Sequence, residues 1–369
     1  MSDYKLKICF LSPKAYPLFA VDCDGVYGGA EVDLYLLGTA LAADTDFEVT
    51  FVVADYGQRD GYVSQNVRLL KSLKFGENPI SSVIRIWNAL RKSDSDIYFM
   101  KTMSPGMILL WMFSKWHRKK YILRTAHTTH CDGVYLRKNK LTAFIYKHIF
   151  RKASILFTQN QSDAAVIKKT YGVDSIVIPN GHRIEVAVQR ENRYFLWVAR
   201  SADFKNPRMF MELSKAIPSQ KFIMICPAAF GDEKYHELVQ EAQEIDNLEF
   251  IQGVRYPDVQ EYFDKASVFV NTSESEGFAN TFIQAGKSAV PILSYKVNPD
   301  DFINRYQCGF CADGDWDRFT GFARQLSQDE ELNRKFGENA FRYVKEYHDI
   351  DGIVEIYKSE FKRIVGNGI

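Results

Sequence analysis

The stretch Ser273–Pro291, SESEGFANTFIQAGKSAVP, decides how this chain is read. It follows an apolar run, Ala266-Ser267-Val268-Phe269-Val270, that has the pattern of a buried strand. A break at Ser, Glu and Gly comes next, then a short helical pattern over 280–288 that ends before Pro291. A strand, a glycine-containing turn and a new helix start are the usual build of an anion site. The first turn of a helix leaves backbone N–H groups unpaired, and the dipole adds about half a positive charge there. Glu276 and, eight residues later, Gln284 flank the turn. What they touch depends on whether the turn holds a phosphate.

Outward from this stretch the same rhythm fills the chain. Strands are expected at 6–11, 48–53, 96–100, 121–126, 154–158 and 175–178. Beyond Pro179-Asn180-Gly181 they resume at 194–199, 221–226, 248–252, 267–271 and 290–294. Helical patterns at 30–42, 207–217, 232–243 and 256–265 separate several of them, and the last third is helical over 319–326, 331–346 and 350–365. Such alternation implies parallel sheets covered on both faces. Two series, in a chain of 369 residues, imply two Rossmann-like, doubly wound α/β domains joined near 180–192. We divide the chain at 1–182, 183–345 and 346–369, the last a helix crossing back to the first domain. Ligands of open parallel sheets sit at the carboxyl ends of the strands, so both domains are expected to face one cleft.

Composition narrows the class. The hydrophobic share of 46% and charged share of 25% are those of a globular protein. No apolar run approaches the roughly 18–20 residues that span a bilayer. The opening MSDYKLKICFL enters a strand pattern with no small-residue cleavage site, and six scattered Cys fit reduced thiols, so a cytoplasmic protein is expected. Cys308-Gly309-Phe310-Cys311 has no second pair or His cluster and is read as a coincidence in a loop. No nucleic-acid partner is expected. The net charge of +1 hides a division: residues 1–182 carry 24 Lys and Arg against 16 Asp and Glu, net +8, and the remainder is net −7. Between Lys115 and Lys152 stand 11 basic residues and one acid, Asp132, and Met107–Tyr121 is apolar with Trp111 and Trp116. Two readings of 107–152 stand: a core helix with a solvated basic end, or a face resting on anionic lipid.

Two further turns share the logic of the opening stretch. Gly28-Gly29 precedes a helix, where backbone amides can approach a phosphate closely. Arg200 directly follows the strand at 194–199, and Lys205 stands five residues on, a spacing that could clamp a diphosphate.

With Phe250…Gly253-Val254, Tyr262…Ala266–Val270, Ser273-Glu274-Ser275-Glu276-Gly277-Phe278-Ala279 and Ala285-Gly286…Pro291 in order, the second half resembles the donor domain of retaining glycosyltransferases of GT-B fold, group 1 / family 4 type. The likeness is firm over 175–295 and looser over 1–175. It implies that the second domain binds a nucleotide-diphosphate sugar and the first an acceptor. Glu276 would accept hydrogen bonds from sugar hydroxyls, and the amides of Phe278, Ala279 and Asn280, after Gly277, would hold the distal phosphate. Arg200 and Lys205 would neutralise the diphosphate, and backbone at Val254 would read the base. Position 284 would meet the ribose; Gln284 replaces the usual Glu, keeping an acceptor and losing the charge. Ala279 replaces a customary Gly. In Arg124–His130, RTAHTTH, the likeness points to His127 near the anomeric centre, with His130 the competing candidate.

The DxD at Asp22 and Asp24 has the spacing of a metal mark, but the same spacing recurs at Asp44/Asp46, Asp94/Asp96 and Asp313/Asp315. With two cations and helix dipoles at hand, no metal and no cofactor is expected. The reading is sugar transfer with retention, a UDP-sugar preferred to a GDP-sugar, onto a hydroxyl of a glycan or lipid-linked acceptor in envelope glycan synthesis, at the inner face of a membrane. The alternatives are a nucleotide-sugar epimerase of the same architecture and a non-catalytic sugar-nucleotide binder.

Overall fold

The computed structural model describes residues 4–366 apart from 21, 24, 138, 186–190, 192 and 230. Asp24 of the Asp22/Asp24 pair and Lys138 of the basic stretch therefore lie outside the described residues. The chain forms two compact units, Met1–Arg183 with Ile350–Ile369, and Ile184–Asp349.

In the first unit β1 (Leu6–Leu11) leads through α1 (Tyr16–Phe19) and α2 (Gly29–Ala42) to β2 (Phe47–Val53). A hairpin of β3 (Tyr62–Ser64) and β4 (Val67–Lys71) follows, then α3 (Pro79–Ser93), β5 (Ile97–Lys101), α4 (Gly106–His117) and β6 (Lys120–Arg124). The series closes with α5 (Lys140–Lys152), β7 (Ile155–Thr158), α6 (Gln161–Tyr171) and β8 (Ile176–Val177). The sheet order is β3-β4-β2-β1-β5-β6-β7-β8, parallel except at the hairpin.

The second unit alternates more strictly: β9 (Tyr194–Val198), α7 (Pro207–Ala216), β10 (Phe222–Ile225), α8 (Tyr235–Gln243), β11 (Leu248–Ile251), α9 (Tyr256–Asp264) and β12 (Ala266–Asn271). Then come α10 (Asn280–Lys287), β13 (Ile292–Ser294), α11 (Phe302–Arg305), β14 (Gly309–Cys311), α12 (Trp316–Gln328) and α13 (Glu330–Tyr347). Its strands order β11-β10-β9-β12-β13-β14, all parallel, with the reversal of winding between β9 and β12. The last helix, α14 (Ile350–Gly366), is part of the first unit.

Strand periodicity sets the layers. In β1, Leu6, Ile8 and Phe10 enter the core under α2 and α14, whereas Cys9 and Leu11 enter the core under α3 to α6. Tyr357 and Phe361 of α14 pack on Phe99, and Tyr357 also meets Phe157 edge to face at 5.1 Å. Gly181 makes this docking possible: a Cβ there would lie 2.5 Å from Ile350 Cδ1. The Ile350 amide then donates to the His182 carbonyl at 2.9 Å.

The expectation for Cys308–Cys311 is corrected. Residues 309–311 are the edge strand β14, paired to β13, and both thiols are buried, which pushes them up to about 12 and about 11. Gly309 is required by close approach, since a Cβ there would sit 1.8 Å from the Ile292 carbonyl oxygen. These are core thiols.

Candidate functional site

The reversal between β9 and β12 places two turns side by side at the carboxyl edge of the second sheet, the position at which doubly wound folds take ligands. The first turn runs from Ala199 to Asn206 and the second from Thr272 to Ala279. Backbone and side-chain bonds staple them together. Trp197 Nε1 donates to Thr272 Oγ1 at 2.8 Å, Thr272 Oγ1 donates to the Lys205 carbonyl at 2.7 Å, and the Glu274 amide donates to the Phe204 carbonyl at 2.8 Å. Asn206, in the left-handed region at φ 51°, then turns the chain into α7 with Pro207 in its first turn.

The staple brings two of the expected residues together. Glu276 accepts from Ser273 Oγ at 2.8 Å and from the Lys205 ammonium, with the two side chains 9% and 18% exposed. Lys205 also lies over the Phe204 ring, 5.1 Å from its centroid. Arg200, half-buried beyond β9, forms no hydrogen bond or ion pair with another described residue. The turn therefore offers one guanidinium uncommitted and one ammonium shared with a carboxylate.

Phe278 anchors the second turn by burying its ring against Phe302 and His348, at 5.0 and 4.5 Å between centroids. Ala279 is the N-cap of α10 at φ −69°, ψ 129°, a conformation open to any residue, so the missing glycine costs nothing here. Alanine brings no capping oxygen, and the amides of Ala279 and Thr281 have no hydrogen-bond partner among the described residues. Gly277 and Asn280 complete the turn. On the same helix Gln284 is 7% exposed; its carbonyl accepts from Gln260 Nε2 at 3.1 Å, while its side-chain amide makes no hydrogen bond to a described residue. A polar side chain this buried normally has a partner. Val254, beyond β11, is half-buried against the core that α10 covers.

In the first unit, Gly28 is extended at φ −131°, ψ −175°, and its amide donates to Glu31 Oε2 at 2.8 Å at the start of α2. Gly29 opens that helix. The two histidines separate. His130 is buried, accepts from the Ala126 amide on Nδ1 at 3.1 Å, and is pushed down to about 4 by burial, then by His127 and Lys101. It is a neutral core group. His127 is half-buried and caps the turn after β6, accepting from the Thr129 amide on Nδ1 at 3.1 Å, which leaves Nε2 to carry the proton of the neutral ring.

Sequence reasoning missed a buried charge cluster at the ends of β5 and β6. Lys101 Nζ donates to Asp33 Oδ2 at 2.7 Å and to Asn180 Oδ1 at 3.1 Å, and Arg124 Nη2 donates to Asn180 Oδ1 at 2.8 Å. Burial alone would raise the Asp33 carboxyl, but Arg124 and Lys101 outweigh it and hold it below the usual carboxylate range. No spacing signal links these residues, which stand 68 and 79 apart along the chain.

Two doubly wound units, with a cationic turn beside a helix start at the switch point of the second, are the parts of the GT-B architecture. Residues 182–343 match the model described as glycosyl transferases group 1, and residues 27–186 that of glycosyltransferase family 4. The chain thus carries two matched glycosyltransferase domains in succession, the group 1 domain in its second half and the family 4 domain in its first. Its fold is similar to that of sucrose-phosphate synthase from Thermosynechococcus elongatus, with a TM-score of 0.80, 15% identity, and 98% of this chain and 100% of that one covered. It is also similar to Anabaena Alr3699/HepE in complex with UDP, with a TM-score of 0.72, 14% identity, and 97% and 100% covered. Glycosyltransferase 1 domain-containing protein 1 of Xenopus tropicalis is 24% identical over 132 residues, 36% of this chain and 38% of that protein's length.

Proposed function

We propose that the chain moves a sugar from a UDP-sugar to a hydroxyl of a glycan or lipid-linked acceptor with retention of anomeric configuration. The observation that carries this is the Lys205–Glu276 pair at the switch point, beside the amides of Ala279 and Thr281, which have no partner among the described residues. In this reading the diphosphate takes Lys205, Arg200 and the amides of Phe278, Ala279 and Asn280, and Glu276 turns to the hydroxyls of the sugar. The Gln284 amide meets the ribose, backbone at Val254 meets the base, and the Gly28-Gly29 helix start serves the reacting sugar and phosphates. His127 donates its Nε2–H near the anomeric carbon.

Departure of the nucleotide puts negative charge on the β-phosphate while the anomeric carbon becomes oxocarbenium-like. Fixed donors aimed at that oxygen lower the barrier without reorganising, and one such donor typically contributes about 10²–10³ in rate. Two side-chain cations and a helix start supply the charge that a metal would, so we assign a metal-independent reaction. The acceptor hydroxyl attacks from the face the nucleotide leaves, because no carboxylate suggests itself as a covalent nucleophile on the other. UDP is preferred on the fold shared with a UDP-bound protein. The basic stretch 107–152 supports a lipid-linked acceptor and work at the inner face of a membrane; among the described residues no helix is long and apolar enough to cross one.

The test is turnover of radiolabelled UDP-sugars with membrane extract, with the product anomer read by NMR. Label moved into a glycoside of unchanged anomeric configuration supports the assignment. Free epimerised nucleotide-sugar, or binding of UDP with no transfer and no donor hydrolysis, would overturn it.

A further inference from the structure

We propose that a pocket between the carboxyl-terminal ends of α4 and α5 binds the phosphoryl headgroup of an anionic phospholipid and so seats the first unit on a bilayer. This rests on the membrane reading above and is independent of the donor chemistry. The pocket is open, about 510 Å³ in volume, and lies where α4 and α5 return the chain to the amino-terminal edge of the sheet. Residue 119 immediately precedes β6 there, and His127 follows the other end of that strand. The pocket and His127 thus belong to opposite edges, which makes a lipid held here an anchor rather than a substrate.

Four cations line it, Lys115, Arg118, Lys119 and Lys152, and among the described residues no carboxylate does. Asp94 reaches Lys119 at 3.4 Å from a largely exposed position. Trp111 and His148 form a wall, edge to face at 5.4 Å, and Lys115 stands over the indole at 5.6 Å. Basic residues at helix carboxyl ends are ordinary complements of the dipole. Two features go beyond that account.

The first is Ser114. It lines the pocket, is 1% exposed, and its Oγ has no hydrogen-bond partner among the described residues. Buried hydroxyls are almost always paired, and a phosphoryl oxygen among the four cations supplies the missing acceptor. The second is an apolar rim on the same two helices. Trp116 is 79% exposed and Phe144 69%, and Met112 and Leu141 are exposed as well. Phe144 stacks on His148 at 6.2 Å, which continues the pocket wall outward. Cations that meet phosphate beside aromatic and aliphatic groups that enter the acyl boundary are the two requirements of an interfacial surface. A soluble phosphate would need the cations and have no use for the rim.

The experiment is flotation of the full chain with vesicles of phosphatidylcholine alone and of equimolar phosphatidylcholine and phosphatidylglycerol. Binding is expected to the anionic vesicles only, and to weaken with salt. Lys115→Gln with Lys152→Gln should weaken it about thirtyfold, since each cation near an anionic surface contributes on the order of fivefold. Ser114→Ala should weaken it several-fold with no change of charge, and circular dichroism melting checks that the variants fold. No flotation with either vesicle overturns both the membrane reading and the pocket. Anionic binding that is equal in wild type, Ser114→Ala and the double variant overturns the pocket and leaves the membrane reading. Soluble glycerol phosphate bound as tightly as the anionic vesicles overturns the assignment to lipid.

Discussion

Lys205 and Glu276 each compensate the other's charge in a largely dry setting, so truncating either leaves its partner exposed to a local imbalance as well as removing a ligand contact. Lys205→Ala is expected to lower turnover about 10²–10³-fold. Glu276→Ala should lower it at least about tenfold, the range in which lost transition-state hydrogen bonds fall. Thermal melts should show both variants folded, and wild-type rates in both would refute the assignment. Gln284→Glu places a carboxylate on a side chain that has no partner among the described residues; calorimetry should show a changed affinity for UDP, and no change would place Gln284 outside the site. His130 gives a pH prediction with a definite sign. Its folded value, about 4, lies below the ordinary 6.5, so between these values the unfolded chain holds the extra proton. Stability should therefore fall as pH drops from 6.5 toward 4, by at most on the order of 3 kcal/mol. His130→Asn, which keeps an acceptor for the Ala126 amide, should flatten that slope in denaturant melts. The sequence could not separate the two histidines, because both stand beyond one strand; the structure distinguishes them by burial.

At the scale of elements, α10 is held by its neighbour as much as by its sequence. Gly286 faces α13, and a Cβ there would meet Val344 Cγ1 at 2.5 Å and the Ala340 carbonyl oxygen at 2.9 Å. Gly286→Ala improves helix propensity by about 1 kcal/mol, yet overpacking against a backbone atom costs about 1–3 kcal/mol. The variant should melt lower than wild type; an equal or higher melting temperature would show that the two helices slide apart freely. The strands β9 to β13 of the second unit and the β12–α10 turn were legible because each strand is an apolar run closed by turn residues. The β3–β4 hairpin was not. Its turn is made by Gln65 and Asn66 at φ 51° and 62°, without the glycine that usually signals such a turn. The edge strand β14 was hidden for a different reason: three residues with a glycine in the first place carry no periodicity, and only Ile292 explains why that glycine is there.

Over the whole molecule, charge and connectivity follow different divisions. The positive half belongs to the unit with the basic pocket between α4 and α5 and the negative half to the unit with the Lys205–Glu276 turn, so on the proposed assignments salt should weaken vesicle binding more than UDP binding, as parallel titrations would show. Connectivity gives α14 to the first unit, where Ile353, Val354, Tyr357, Phe361 and Ile364 complete a core begun by β1 and β2. Ending the chain at Asp349 should leave that core open, with the truncated protein recovered as aggregate; a soluble product with a native melting transition would contradict the dependence. The same arrangement bears on synthesis. A ribosome delivers 1–183 before 184–349, and the helix that seals the first unit follows both, so the later-made unit can mature while the earlier one waits, and a chaperone guarding the nascent chain would be needed longer at the first unit than at the second.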